Sequence, residues 1–222
     1  MPVDAPLYPA NLVVRGRRVL VVGGGRVAAQ KVAGLLECEA DVHVVTAHVG
    51  SELVGLVDRF ASEADAVGSL EVDERPFAPG DTAGHRLVVT ATGDPAVDAT
   101  VYAEAEDAGI WCNSADDPAH CSFTLPSRVR RGPLLATFST GGRSPALSTW
   151  LRRRYADELG PEHLVLLDLL TEEREAIRAA GRSTEGLDWQ AALDSGMLDL
   201  IREGRLAEAK ERLQACLSSS SD

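Results

Sequence analysis

The chain of 222 residues lacks the features of a secreted or membrane-spanning protein. No stretch approaches the about 20 consecutive apolar residues of a membrane helix, and the amino terminus shows no basic region followed by a long apolar run. The four cysteines include no CxxC pair, and their wide spacing is typical of reduced thiols rather than of a disulfide framework. These absences predict a soluble, cytoplasmic protein without membrane association.

Aromatic residues are scarce at 5% of the chain, so we expect a core built from Val, Leu and Ala. The net charge of −12 argues against a broad nucleic-acid surface, yet no Asp or Glu occurs between Pro118 and Ala156. That segment contains these arginines: Arg128, Arg130, Arg131, Arg143, Arg152, Arg153 and Arg154. The segment favours binding of an anion. The alternative is that the arginines are solvated and paired with acids from elsewhere in the chain.

Strand-like and helix-like periodicities alternate through the first half of the chain. Strands are predicted at 17–22, 41–46, 70–75, 86–92 and 110–114. Helices are predicted between them at 27–36, 52–60 and 95–108. Such alternation predicts βαβ units, and therefore the α/β class with a Rossmann-type parallel sheet that has helices on both faces.

The second half of the chain has a different pattern. Two short strands are predicted at Ser122–Leu125 and Leu134–Ser139, on either side of an arginine-rich connection. A helix is predicted over Ser144–Leu159, and from Pro161 to Leu217 only helical periodicity remains. We therefore predict a Rossmann domain over residues 1–114, a small segment over 115–150 and an all-helical domain over 151–222.

A glycine-rich turn lies between the first predicted strand and the first predicted helix. The residues Gly23 to Ala28 match the pattern G-x-G-x-x-G/A in the context that a dinucleotide-binding fingerprint requires. Gly23 permits the tight turn, Gly25 lets a pyrophosphate approach the backbone, and Ala28 lets the helix pack closely on the sheet. The turn predicts a dinucleotide site, and the alternative is a glycine turn in an α/β core without a ligand.

The usual acidic clamp for the ribose is missing. It would stand at the end of the second strand, where this chain has Thr46, Ala47 and His48. A hydroxyl or a backbone amide could hold the ribose instead, and the choice between NAD and NADP stays open on this ground. The fourth strand ends in small residues around Thr92, as passage of a cofactor across the strand end requires.

Polar residues follow the fifth predicted strand in the run CNSADDP, from Cys112 to Pro118. Ligands of open α/β sheets bind outside the carboxyl ends of the strands, and a carboxylate there can accept a proton or contact a metal. The alternative is an ordinary Asp-Asp-Pro turn. A zinc site around His120 and Cys121 is disfavoured, because the spacing matches no ordinary zinc pattern.

Three segments together resemble the precorrin-2 dehydrogenase family. They are GGGRVAAQKV, VTATGDPAVD and WCNSADDPAHCSFTLPSRVRRGPLLATFSTGGRSPALSTWLRRR. This family is the dehydrogenase/ferrochelatase module at the amino terminus of siroheme synthase, and we expect its stand-alone form here. The ordered motifs CN-x-x-D-x-P, SF-x-x-PS, GPL and S-[ST]-GG-x-SP are far more specific than the glycine turn.

The resemblance implies oxidation of precorrin-2 to sirohydrochlorin with NAD as cofactor, and in some members insertion of Fe2+, with Co2+ a further possibility. It also implies a homodimer in which the middle segment, 115–150, forms the interface. Asp116 falls on the family's key aspartate, which is implicated in both reactions and is a possible metal contact. The expected cofactor-binding residues are Gly23, Gly25, Arg26, Val27, Ala47, His48, Thr92 and Asn113.

Precorrin-2 is a polycarboxylate, which suits the acid-free, arginine-rich segment, since arginine forms charge-assisted hydrogen bonds with carboxylates. The expected substrate-binding residues are Arg128, Arg130, Arg131, Thr140, Gly141, Arg143 and Ser144. Asp116 is expected to accept the proton lost on oxidation, with Asp117 as a reserve. Fused siroheme synthases carry a serine that can be phosphorylated at the position of Thr140, so this modification stays open.

Two other functions are compatible with the residues. One is a sirohydrochlorin metal chelatase or carrier without dehydrogenase activity, in which the Rossmann part is vestigial. The other is an NAD-sensing regulator, which the acidic net charge and the lack of a DNA-binding helix pattern disfavour.

Overall fold

The computed structural model describes residues 6–64 and 66–219. These residues form two compact units. The first consists of the residues up to Leu125 together with Thr140–Ser144, and the second of Pro126–Ser139 and the residues from Pro145 onwards. The predicted division into residues 1–114, 115–150 and 151–222, with 115–150 as a dimerisation segment, stays a prediction.

The first unit contains a five-stranded parallel sheet in the order β3-β2-β1-β4-β5. Its strands are β1 Arg18–Val22, β2 Asp41–Thr46, β3 Ser69–Glu74, β4 Leu87–Thr90 and β5 Trp111–Ser114. The connecting helices are α1 Arg26–Leu36, α2 Ser51–Ser62 and α3 Pro95–Asp107. The predicted Rossmann-type sheet is confirmed, and the strand order reverses between β1 and β4, which is where such sheets bind ligands.

The central strand β1 is buried on both faces, which explains its uninterrupted aliphatic run. Val19 and Val21 pack in one cluster with residues of α1 and α2. Leu20 and Val22 pack in a second cluster with Val101 of α3. Helices therefore cover both faces of the sheet, and the clusters are built mainly from valine, leucine and alanine.

The second unit contains an antiparallel hairpin and five helices among its described residues. The hairpin strands are β6 Ser127–Arg131 and β7 Leu134–Phe138. The helices are α4 Pro145–Glu158, α5 Glu162–Ala179, α6 Trp189–Asp194, α7 Met197–Arg202 and α8 Leu206–Ser219. Met197 and Leu213 lie at the centre of the helical core. No helix within 6–64 and 66–219 combines the length and the apolar character needed to cross a bilayer.

The predicted strand at Ser122–Leu125 is wrong. Ser122 N donates to Cys112 O at 2.8 Å, and Asn113 Nδ2 donates to Phe123 O at 3.0 Å, so isolated bonds rather than a ladder hold this segment to the end of β5. The arginine-rich stretch, for which the sequence predicts a connection, is itself the strand β6, in which buried Val129 alternates with the exposed Arg128 and Arg130. The arginines conceal a period of two that is typical of a strand with one buried face.

Candidate functional site

The glycine turn between β1 and α1 has no room for side chains at its first two positions. Gly23 has a φ of +124°, and a Cβ on it would overlap the backbone carbonyl of Ala91. A Cβ on Gly24 would overlap the carbonyl oxygen of His48. The carbonyl of Gly24 also accepts a hydrogen bond from Gly50 N at 3.0 Å. The turn therefore lies directly against the ends of β4 and β2.

Gly25 differs from both, because the position of its missing Cβ faces open space. It is the N-cap of α1, no side chain caps the helix, and the first turn of α1 contains no acid. Ala28 is fully buried, as close packing of the helix on the sheet requires. The first backbone amides of α1 have no capping side chain, and the space in front of them is open. Such a helix N-terminus suits the pyrophosphate of a dinucleotide, so these residues fit the predicted cofactor.

The loop after β2 presents Ala47 and His48 to solvent. Thr46 is buried and its Oγ1 donates to His48 O at 2.8 Å, so its hydroxyl shapes the loop. Two carboxylates flank this loop, although the end of β2 has none. Glu74 Oε1 accepts from Val49 N at 3.3 Å, and Glu52 lies in the first turn of α2.

Glu52 carries a negative charge that its surroundings favour. A hydrogen bond from its own backbone amide, followed by one from Ser51 Oγ, lowers its pKa, and the charge of Arg26 acts in the same direction. Sequence reasoning missed both flanking acids because they belong to the neighbouring elements α2 and β3 and not to the end of β2.

At the end of β4 a buried acid holds two threonine hydroxyls. Asp98 of α3 is 4% exposed, and its Oδ1 accepts from Thr90 Oγ1 and, at 2.6 Å, from Thr92 Oγ1. Thr92 Oγ1 in turn accepts from Asp94 N at 3.0 Å. Sequence reasoning singled out Thr92 but missed Asp98. The spacing of Asp98 could have indicated its burial, because Asp98 lies on the same face of α3 as the buried Val101 and Ala105.

At the end of β5, Asn113 is buried and its side-chain amide binds the segment around Phe123. Cys121 Sγ accepts from Ser114 N at 3.2 Å. Burial raises the pKa of Cys112 to about 12 and also raises the pKa of Cys121, so both thiols are neutral at pH 7. No group of three or more His, Cys, Asp or Glu side chains within the described ranges could hold a metal ion.

The two adjacent aspartates after β5 have different surroundings. Asp117 caps the short 3-10 helix Pro118–His120 by accepting from Ala119 N at 2.9 Å, and its other oxygen lies 3.0 Å from His120 Nδ1. Asp116 is exposed, and within the described part of the chain no hydrogen bond or ion pair engages its carboxylate. Of the two, Asp116 has the more accessible carboxylate, and its role as proton acceptor stays a prediction.

The turn Thr140–Ser144, also in the first unit, is shaped by two glycines. Gly141 and Gly142 have φ values of +59° and +78°, a conformation that side chains disfavour. Arg143 N donates to Thr140 O at 3.1 Å, and Ser144 N donates to Thr140 Oγ1 at 3.0 Å. The Thr140 side chain therefore stabilises the turn that presents Arg143.

The predicted substrate arginines of β6 belong to the second unit and have two different environments. Arg131 Nε donates to Leu159 O at 3.1 Å and its terminal nitrogen to Ala156 O at 3.2 Å, next to the end of α4. Cations are favourable at this end of a helix. Arg128 and Arg130 occupy the alternate positions of the strand, so they lie on the face opposite Val129.

Comparison with known proteins gives one matching family and a consistent set of relatives. A family model described as putative NAD(P)-binding matches residues 10–127. Siroheme synthase of Nitrosomonas eutropha is 30% identical over 217 residues, which cover 97% of this chain and 44% of that protein. Siroheme synthase of Methylococcus capsulatus is 33% identical over 207 residues, covering 92% of this chain and 42% of that protein. The chain thus spans less than half the length of these curated relatives.

A solved structure described as SirC, precorrin-2 dehydrogenase, superimposes with a TM-score of 0.70 at 24% identity. The match covers 94% of this chain and 100% of that one. At this level of identity the likeness shows a shared fold, which extends through both units.

Proposed function

This chain belongs to the putative NAD(P)-binding family and, within it, groups with siroheme synthases, and from that premise we propose that it is an NAD-dependent precorrin-2 dehydrogenase. The observation that carries the proposal lies at the carboxyl edge of the parallel sheet. The end of β1 there bears a glycine turn with room for a pyrophosphate, and the loop after β5 bears the unengaged carboxylate of Asp116. One oxidant and one proton acceptor are what dehydrogenation of a tetrapyrrole requires.

The dinucleotide, when bound, supplies the hydride acceptor. The backbone amides of Gly25 and of the first turn of α1 would hold its pyrophosphate, and Gly23, whose amide donates to Val45 O at 2.9 Å, would provide the tight turn that leads to them. Arg26, Val27, Ala47 and His48 would hold its adenosine half, and Thr92 and Asn113 would line the path of the other half. Asp116 would accept the proton that the substrate loses as its conjugation extends.

Arginines would bind the carboxylates of the substrate. In the first unit, Arg143 follows the double-glycine turn, in which bonds from Arg143 N and Ser144 N to Thr140 fix the backbone that carries this arginine. In the second unit, Arg128 and Arg130 offer guanidinium groups on one face of the hairpin. Arg131 is not assigned to the substrate in this proposal, because its side chain already donates to two carbonyl oxygens next to the end of α4 and so stabilises the second unit.

We propose NAD rather than NADP as the cofactor. The extra phosphate of NADP would be placed beside the loop after β2, which the carboxylates of Glu52 and Glu74 flank. Like charges disfavour one another there, although Arg26 and His48 lie nearby. Comparing the Kd of NAD+ with that of NADP+ tests this choice.

A homodimer and a cytoplasmic location are parts of the same proposal. The hairpin and α4 expose large apolar side chains at Leu135, Leu147, Trp150 and Tyr155, which suits an interface in the segment 115–150 extended along α4. All four cysteines are free, as in a reducing compartment. Light scattering of the purified chain measures the dimer directly.

The experiment that tests the proposed function compares two neighbouring substitutions. Asp116→Asn should abolish NADH formation from precorrin-2, because the proton acceptor is lost, while leaving NADH binding and the melting temperature unchanged. Asp117→Asn should retain turnover with little change in stability, because asparagine caps a helix about as well as aspartate. Wild-type turnover by Asp116→Asn would refute the assigned role. Adding Fe2+ or Co2+ to the same anaerobic reaction and recording absorption spectra reports chelation separately.

A further inference from the structure

A buried carboxylate lies at the point where the strand order of the sheet reverses. Asp98 is 4% exposed and accepts from the hydroxyls of Thr90 and Thr92 on the same oxygen, Oδ1. Both partners are neutral hydroxyl groups, and within residues 6–64 and 66–219 no cationic side chain forms an ion pair with this carboxyl group. An aspartate this buried is uncommon without a charged partner, so the position of Asp98 calls for an explanation.

The position of this carboxylate connects it to the proposed cofactor. Ala91 N donates to Val22 O at 2.8 Å, and Gly23 has no room for a Cβ because the carbonyl of Ala91 is there. Thr92 follows Ala91 directly, and its Oγ1 donates to Asp98 Oδ1 at 2.6 Å. The Asp98 carboxylate is thus linked to the backbone that lies against the glycine turn. In sheets of this order the cofactor lies across the switch point, outside the carboxyl ends of the strands.

Oxidised and reduced nicotinamide cofactors differ in charge. The ring of NAD+ carries a positive charge that is lost when it accepts a hydride. A fixed negative charge in a region of low dielectric therefore interacts more favourably with the oxidised ring. Two carboxylates near this strand end differ in exposure: Asp94, which caps α3, is exposed to solvent, whereas Asp98 is buried and less screened.

We propose that Asp98 is a positioning residue that biases the site toward the oxidised cofactor, both by its charge and by holding Thr92 in place. This inference deepens the proposed function but rests only on its cofactor half, since neither precorrin-2 nor Asp116 enters it. Such a bias would raise the affinity for the reactant cofactor and ease release of the product cofactor, while leaving the overall equilibrium of the reaction unchanged.

The test is the ratio of two dissociation constants in the full chain. NADH binding is followed by its fluorescence, and NAD+ binding by displacement of NADH. Asp98→Asn keeps the shape and one acceptor oxygen but removes the charge. We expect the Kd of NAD+ to rise about tenfold, equivalent to one pKa unit of electrostatic interaction, while the Kd of NADH changes less than about twofold.

Asp107→Asn is the matched control, because Asp107 is exposed in the last turn of the same helix and should leave both constants unchanged. If Asp98→Asn fails to fold, Asp98→Ser, which also lacks the charge and can hydrogen-bond the threonines, gives the same comparison. Equal weakening of NAD+ and NADH would show a purely structural role and overturn the proposal, as would an unchanged ratio or a wild-type chain that binds neither cofactor. A shifted ratio in a chain that does not oxidise precorrin-2 would uphold this inference and refute the proposed function.

Discussion

The difference between Gly23 and Gly25 predicts two separable effects of an alanine in the same turn. Gly25 has φ −80° and ψ −176°, which alanine adopts without strain, and nothing lies within 4 Å of its missing Cβ. Gly25→Ala should therefore change the free energy of unfolding by no more than about 1 kcal/mol, since a poorer N-cap opposes the smaller entropy of the unfolded chain.

Cofactor affinity should fall sharply in the same variant. The added methyl group would fill the space through which a pyrophosphate approaches the amides of α1, and overpacking of this kind costs about 1–3 kcal/mol. That range corresponds to a Kd for NADH about 5- to 150-fold higher. Fluorescence titration gives the Kd, and thermal unfolding without cofactor gives the stability.

Two further alanine variants complete the comparison. Gly23→Ala should lose both stability and affinity, because its φ of +124° and the carbonyl of Ala91 exclude a Cβ. Gly55→Ala, in the exposed middle of α2, should gain about 1 kcal/mol of stability and bind NADH normally. Wild-type affinity in Gly25→Ala would refute the placement of the pyrophosphate at α1.

Three other predictions concern charge. Burial lowers the pKa of His85, which stacks on His43, below its ordinary value of 6.5. The unfolded chain therefore binds a proton at this histidine more readily than the folded chain does. The free energy of unfolding should consequently fall as the pH drops below about 6.5. Urea unfolding at pH 7.5 and 5.5 should show a smaller difference in His85→Gln than in the exposed control His48→Gln, and equal differences would contradict the assignment. Arg131→Ala should cost about 1 kcal/mol through its two lost bonds, whereas exposed Arg153→Ala should be nearly neutral by the same measurement. Glu52→Gln should lower the Kd of NADP+ more than that of NAD+, and unchanged selectivity would remove Glu52 from cofactor choice.

The parts of the fold that follow from local patterns were predictable. The aliphatic run ending at Val22 is buried on both faces, and a strand between two helical layers needs that run. The N-cap Asp94, Pro95 and the following Gly109 mark the ends of α3 within a residue or two. The glycine turn was recognisable because the G-x-G-x-x-A spacing places glycines where the backbone leaves no room for a Cβ, at Gly23, and where a ligand needs open space, at Gly25.

The parts that depend on contacts distant in sequence were not predictable. Ser122–Leu125 resembles a strand, but its hydrogen bonds run to Cys112 and Asn113, which no local period reveals. The spacing of Asp98 with Val101 and Ala105 indicates a buried position, but its contact with Thr90 follows only from the fold. Arg131 could not be distinguished from Arg128 without the contact of β6 with the end of α4.

The most direct test of the central claim is anaerobic mixing of the purified chain with precorrin-2 and NAD+, followed by absorption spectra. We predict one NADH for each precorrin-2 consumed, together with the spectrum of sirohydrochlorin. A chain that binds sirohydrochlorin but forms no NADH would contradict the dehydrogenase and favour the chelatase or carrier.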